Sequence, residues 1–255
     1  MSKLLFLGSG SAFTVGTDNY QSNLILESDR GSRRLLIDCG SDIRFSLYDA
    51  GFSYKDVTDI YISHLHADHV GGLEYIGISA MFDPHCPKPN LFTSKEIAVE
   101  LWEKSLAGGM QAISGDIAEL HDFFEVKAIG PQRSFTWEGI TFELIKVTHV
   151  DAGYYVMPSY GLKFHINGQQ IFFTTDTQLM WKFRPELYKD ADIIFHDCEI
   201  SQYPTTVHAH YAELSALPAE IKAKIWLYGY QPESLPDAHH DGFLGFVAKG
   251  QEFSF

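Results

Sequence analysis

Four potential metal ligands fall within six positions, in the run Ser63-His64-Leu65-His66-Ala67-Asp68-His69. Imidazole nitrogens and carboxylate oxygens suit zinc and similar divalent ions. In an extended turn alternate residues point the same way, so His64 and His66 can face one point. Asp68 and His69 come where the turn reverses and can face a neighbouring one, so a single loop offers ligands for two adjacent ions. A solvated loop that happens to be rich in histidine is the plainer reading. The density of ligand types, at a turn between a predicted strand (59–62) and a predicted helix carrying Leu73, Ile76, Ile78 and Met81, favours metal chemistry.

One loop does not fill two metal sites. His149 follows a predicted strand over 141–147, and Asp176 follows another over 170–175, inside Thr174-Thr175-Asp176-Thr177. Strand ends are where loops gather and sites are built. Either residue alone reads as a turn residue; their order after the histidine loop raises them. The remaining pattern predicts strands over 3–7, 23–27, 34–38, 91–93, 125–129, 133–137, 161–166, 192–196 and 224–228, with helices over 42–50, 94–106 and 210–222. A polar turn over 28–32 links the second and third strands, and Asn167-Gly168 marks a hairpin. Segments 243–247 and 252–255 read as a closing hairpin, and 108–122 supports no assignment. Gly8-Ser9-Gly10-Ser11 lacks the spacing of a phosphate loop and reads as a tight turn beside the site. Strands with helices interspersed in both halves predict an α/β protein of two sheets packed face to face, one domain over 1–255.

Composition narrows the partners. Lys plus Arg number 19 against 33 Asp plus Glu, a formal charge of −14, which argues against wrapping long nucleic acid. A small anionic substrate remains compatible, because metal ions supply positive field locally. Three cysteines in no paired spacing suggest a reducing compartment, hence a cytoplasmic protein. The apolar run before Gly8 is too short for a signal segment or a membrane span, so no membrane association is expected.

The ordered set His64-Leu65-His66-Ala67-Asp68-His69, His149 and Asp176, with Asp38-Cys39-Gly40 as a further landmark, resembles the metallo-β-lactamase superfamily. The resemblance implies an αβ/βα four-layer sandwich with two divalent ions, zinc first and manganese second. It implies His64, His66 and His149 on one ion, Asp68 and His69 on the other, and Asp176 bridging both, with Asp68 also counted as catalytic. Leu7-Gly8-Ser9-Gly10-Ser11-Ala12 is similar to the ribonuclease Z and phosphodiesterase branch, and Phe195-His196-Asp197-Cys198-Glu199 resembles its His-Glu-Ala segment with Asp for Glu. His210, opening a helix, resembles the branch's helper histidine, which assists proton transfer to the leaving oxygen. Two departures stand out. Only residues 150–175 separate His149 from Asp176, too few for the arm that binds transfer RNA. Gly229 stands where the branch places a last histidine ligand. The second ion would then be held weakly, or by His239 or His240, or not functionally at all.

Trp102-Glu103-Lys104-Ser105-Leu106 and the stretch 153–162 look like the compact anti-Pycsar phosphodiesterases. That likeness implies a homodimer hydrolysing 3′,5′-cyclic mononucleotides (cAMP, cGMP, cCMP and cUMP) to linear monophosphates, in evasion of cyclic-nucleotide immunity against phages. Tyr154, Tyr155 or Tyr160 would offer a ring for the base to stack on. A ribonuclease Z-like enzyme and a nucleotide-binding protein disabled by Gly229 are the alternatives, with a thiol-ester or lactone hydrolase behind them.

Overall fold

The computed structural model describes residues 1–31 and 33–255; Ser32, the last residue of the predicted turn 28–32, lies outside them. Two seven-stranded sheets face each other. The first runs, in spatial order, Glu252–Ser254, Lys3–Phe6, Leu24–Glu27, Arg34–Ile37, Asp59–Tyr61, Asn90–Ser94 and Glu125–Ile129. The second runs Gly245–Phe246, Ile225–Tyr228, Ile193–Asp197, Gln169–Phe173, Ser159–Ile166, Ile140–Val147 and Ser134–Trp137. Both are mixed. Pairing is antiparallel from Lys3–Phe6 to Arg34–Ile37 and parallel from there to Glu125–Ile129. In the second sheet it is parallel from Gln169–Phe173 to Gly245–Phe246 and antiparallel elsewhere.

The expected layered α/β architecture is therefore present. Parallel strands covered on both faces read as continuous apolar runs, and Ile60-Tyr61-Ile62 and Ile225-Trp226-Leu227 are such runs. An aromatic seam closes the space between the sheets: Phe135 stacks on Phe92 at 4.6 Å and on Phe142 at 4.9 Å between ring centres. Such pairs add about 0.5–1.5 kcal/mol each beyond the area they bury. Next to the seam the sheets are tied directly beneath the histidine loop. The Tyr61 hydroxyl donates to the Tyr160 carbonyl at 2.7 Å, and the Tyr160 amide donates to the Ser63 carbonyl at 3.1 Å. Ligands from the two halves thus share one rigid frame.

One expectation fails at the margin. The closing hairpin does not form, because Gly245–Phe246 pairs with Ile225–Tyr228 in the second sheet, whereas Glu252–Ser254 crosses to Lys3–Phe6 in the first. Gly250 at φ +77° permits the reversal between them. The unassigned 108–122 stretch holds a short helix Ala107–Met110, a two-residue hairpin Ala112–Ile113 with Asp116–Ile117, and a helical turn Leu120–Phe123. Elements this short carry no periodicity to read. Among the described residues no helix is long and apolar enough to cross a membrane.

Candidate metal centre

The histidine loop leaves the parallel strand Asp59–Tyr61 and turns into the one-turn helix Ala67–Val70, with His66 at φ −66°, ψ 148° as the extended residue before it. Extended geometry up to His66 and helical geometry after it separate the ligands as the spacing predicts. Asp38, at the end of Arg34–Ile37, holds the loop from below. Its carboxylate accepts from the Ser63 amide (2.9 Å), the Ser63 hydroxyl (2.8 Å) and His69 Nδ1 (2.7 Å). Asp38 itself stands at φ +60°. A non-glycine residue there carries strain of about 1–3 kcal/mol, of the kind that accumulates at functional sites. Gly40 is glycine because a Cβ there would run into the Asp68 carbonyl.

Three buried or half-buried imidazoles converge. His64 Nε2 lies 3.2 Å from His66 Nδ1, and His149 Nε2 lies 3.1 Å from that same atom. His149 Nδ1 donates to the Val207 carbonyl at 2.8 Å, which turns its Nε2 lone pair inward. Nitrogens about 2.0–2.1 Å from a tetrahedral zinc would stand roughly 3.3–3.4 Å apart, so this spacing fits one ion with three imidazole donors. Burial pushes His64 well below the ordinary histidine range and lowers His66 as well, so both rings are kept neutral, the form that binds metal.

Asp176 faces both groups. Its Oδ2 lies 3.9 Å from His64 Nε2, 3.8 Å from His149 Nε2 and 3.2 Å from His69 Nε2. Asp68 Oδ2 lies 3.2 Å from the same His69 nitrogen. Burial works to raise the Asp176 carboxyl, but His69, His208 and His64 outweigh it and hold it well below the usual range. Burial likewise opposes charge on His69, yet Asp176, Asp68 and Asp38 hold that ring well above its ordinary value. Three groups of donors result, His64-His66-His149-Asp176, Asp68-His69-Asp176 and Asp176-Asp197-His208, all joined through the Asp176 carboxylate. All six residues expected as ligands are brought together.

His210 is not among them. It caps the helix Tyr211–Ser215, with Nδ1 accepting from the Ala212 amide at 3.2 Å and Nε2 against the Ser201 carbonyl at 3.1 Å. Both ring nitrogens are used, and the expected helper role has no free atom there. His208, two residues earlier, faces the site instead: its Nδ1 donates to Asp197 Oδ2 at 2.7 Å and lies 3.9 Å from Asp176 Oδ2. Burial disfavours its charge, but Asp197 and then Asp176 raise it to about 10. His208 lies in a bend and His210 at the start of the helix, so their two-residue spacing does not tell which of them faces the site.

Gly229 follows Ile225–Tyr228 and lines a pocket of about 340 Å³ above the clusters, with His66, Asp68, Asp176, His208 and Phe13. His239 and His240 do not line it; His240 is exposed and bonded to Asp241. Neither replaces the missing ligand. Tyr154, Tyr155 and Tyr160 are absent from the lining too. Tyr160 is buried, Tyr155 donates to Glu100 at 2.8 Å, and Tyr154 is 96% exposed. The aromatic ring at the mouth is Phe13, 71% exposed, in the loop that the Gly8-to-Ser11 turn begins. A larger cleft of about 750 Å³ near Lys95, Arg133 and Lys146 contains none of the cluster residues.

Beside Asp197, His196 carries a pH dependence of its own. It is fully buried, Nδ1 donating to the Asp197 carbonyl at 2.7 Å and Nε2 accepting from the Tyr188 hydroxyl at 2.9 Å. Burial pushes it from 6.5 down to about 4. As pH falls through that window the unfolded chain takes up a proton that the folded chain refuses, so stability falls. The loss is complete below the folded value and amounts to about 3 kcal/mol. Urea unfolding at pH 6.5 and 4.5 should show this slope in the parent and a shallower one in His196→Gln; equal slopes would contradict it.

The family model for anti-Pycsar protein Apyc1 matches residues 2–253. Anti-Pycsar protein Apyc1 of Paenibacillus harenae is 34% identical over 230 residues, covering 88% of each chain. Its counterpart from Bacillus phage vB_BveM-Goe7 is 30% identical, covering 98% of this chain and 97% of its own. Among solved structures, the metallo-β-lactamase fold protein YhfI from Bacillus subtilis superposes with a TM-score of 0.74 at 16% identity, covering 99% and 98% of the two chains. The short form of human tRNase Z superposes at 0.70, also at 16% identity, over 99% and 98%. The chain belongs to the anti-Pycsar protein Apyc1 family and has the metallo-β-lactamase fold, with the buried His/Asp cluster of that fold's hydrolases.

Proposed function

We propose that the chain is a metal-dependent phosphodiesterase that opens 3′,5′-cyclic mononucleotides to linear monophosphates and so counters cyclic-nucleotide defence against phages. Zinc is the first choice of ion and manganese the second; a cytoplasmic homodimer is part of the same reading. One observation carries it: two donor clusters share the Asp176 carboxylate at the floor of a small pocket, in a chain of the anti-Pycsar family. In this reading His64, His66, His149 and Asp176 hold one ion, and Asp68, His69 and Asp176 hold the other. Divalent ions held there would supply an activated water near neutral pH and would offset the charge that builds on phosphoryl oxygens. His208, charged and anchored by Asp197, supplies the proton for the leaving ribose oxygen. Asp38 and Val207 orient the ligating rings.

Pocket size supports a mononucleotide over a folded RNA. About 340 Å³ lies at the lower end of small-molecule sites. Between His149 and Asp176 the chain makes only a short loop, bridged at Asp151 and Val156, and the hairpin Ser159–Ile166 with Gln169–Phe173. No arm is present there for transfer RNA, and the charge of −14 opposes long nucleic acid. Chromatography of reactions with each of the four cyclic mononucleotides, in zinc or manganese, should show linear monophosphate. Cleavage of precursor transfer RNA with no such product would favour the ribonuclease reading.

Phe13 is the ring for the base to stack on. Base–aromatic stacking contributes about 1–3 kcal/mol. Phe13→Ala should therefore raise KM for cyclic purine nucleotides about tenfold or more, with a smaller change in kcat. An unchanged KM would remove Phe13 from the site.

A further inference from the structure

Gly229, where the branch's pattern leads one to expect a histidine, and Asp197, where it has glutamate, touch each other. A Cβ built on residue 229 would lie 2.7 Å from Asp197 Oδ1, closer than real Cβ atoms approach, and residue 229 stands at φ +77°. Asp197 is 1% exposed, its Oδ2 engaged by His208 and by the Thr177 amide at 2.9 Å. Its Oδ1 is buried with no hydrogen-bond partner. The space a side chain at 229 would enter is thus closed by a carboxylate, and the backbone there suits glycine. A side chain at 229 would have to displace Asp197.

The consequence falls on one cation position. His64, His66, His149 and Asp176 offer four protein donors. Asp68, His69 and Asp176 offer three, while Asp197 and His208 form a separate group with Asp176. On the open side of Asp68, His69 and Asp176 lies the pocket, where Gly229 presents no side-chain donor. We propose that a divalent ion at Asp68, His69 and Asp176 binds together with a phosphate-bearing ligand, an oxygen of which supplies the donor that residue 229 does not. This rests on the metal assignment above. Linkage then requires reciprocity: the ligand tightens the ion by the same factor as the ion tightens the ligand.

Metal counting tests it without turnover. The full-length chain, stripped with a chelator, is dialysed against buffered manganese alone, with adenosine 5′-monophosphate, or with inorganic phosphate, and the bound ion is counted by mass spectrometry. The expected result is near one ion per chain in manganese alone and near two with the monophosphate, the second ion tightening by about 10–100-fold. A rise with inorganic phosphate as well would place the effect in the phosphate; a rise with the monophosphate only would place it in the whole nucleotide. Two ions without either ligand, or no rise with either, would overturn the proposal. Gly229→His alone should still retain one ion in manganese alone, and Gly229→His with Asp197→Ala should retain two. Two in the single variant would show that Asp197 does not close the space. A count that rises with the monophosphate in a chain that cleaves no cyclic nucleotide would leave this inference standing and remove the catalytic reading; turnover with two ions always bound would do the reverse.

Discussion

Asp176→Asn is expected to lower kcat/KM by about a thousandfold or more and to reduce the metal the chain retains. One oxygen of this residue faces His69 at 3.2 Å and both His64 and His149 within 3.9 Å, so no other ligand serves both clusters. Asparagine keeps the shape and removes the charge. Transition-state stabilisation by a metal centre amounts to several kcal/mol, and each 1.36 kcal/mol is a factor of ten, which sets the expected size. Kinetics and metal content measured on the same preparations check it. Activity within tenfold of the parent at unchanged metal content would mean that the clusters are not the reacting centre.

The second large effect separates two histidines two residues apart. His208→Gln should lower kcat by about 10²–10⁴-fold, the usual contribution of a positioned proton donor. His208 is raised to about 10 by Asp197 and Asp176 despite its burial, so it carries its proton at neutral pH. A cation bound at Asp176 would bring that value down towards the working range. The basic limb of the pH–rate profile should therefore disappear in His208→Gln, which a purely structural defect would not produce. His210→Gln should leave the profile intact and cost only about 1 kcal/mol of stability, through its cap on Tyr211–Ser215. If His210→Gln abolished the limb and His208→Gln kept it, the assignment would be reversed.

The parts of the site legible in the sequence are those written in local spacing. His64, His66, Asp68 and His69 lie on one loop whose change from extended to helical geometry sorts them, and that change follows from the strand and helix patterns on either side. His149 and Asp176 are legible because strand ends are recognisable and their order matches a known fold. The apolar runs that became parallel strands were equally plain. Hidden were relations between segments far apart in the chain. That Asp38 holds both Ser63 and His69 depends on the parallel pairing of Arg34–Ile37 with Asp59–Tyr61, which no local pattern records. The two-residue spacing of His208 and His210 does not tell which of them faces the site. Gly229 and Asp197 read as separate departures until the parallel register of Ile193–Asp197 with Ile225–Tyr228 placed them in contact. The supposed hairpin at the end failed for the same reason, since two short strands close in sequence joined different sheets.

Gly229 also changes what activity should look like. A phosphodiesterase whose second ion arrives with its ligand would show metal dependence that steepens with substrate concentration. A nucleotide-binding protein without turnover is the competing outcome that this residue favours.

The most direct measurement titrates manganese into the stripped chain with cyclic AMP present, counting bound ion and linear monophosphate in the same samples. The metal-free chain should give no product, and product should rise with the ions bound. Cleavage by the metal-free chain, or none at any loading with either manganese or zinc, would contradict the metal-dependent reading.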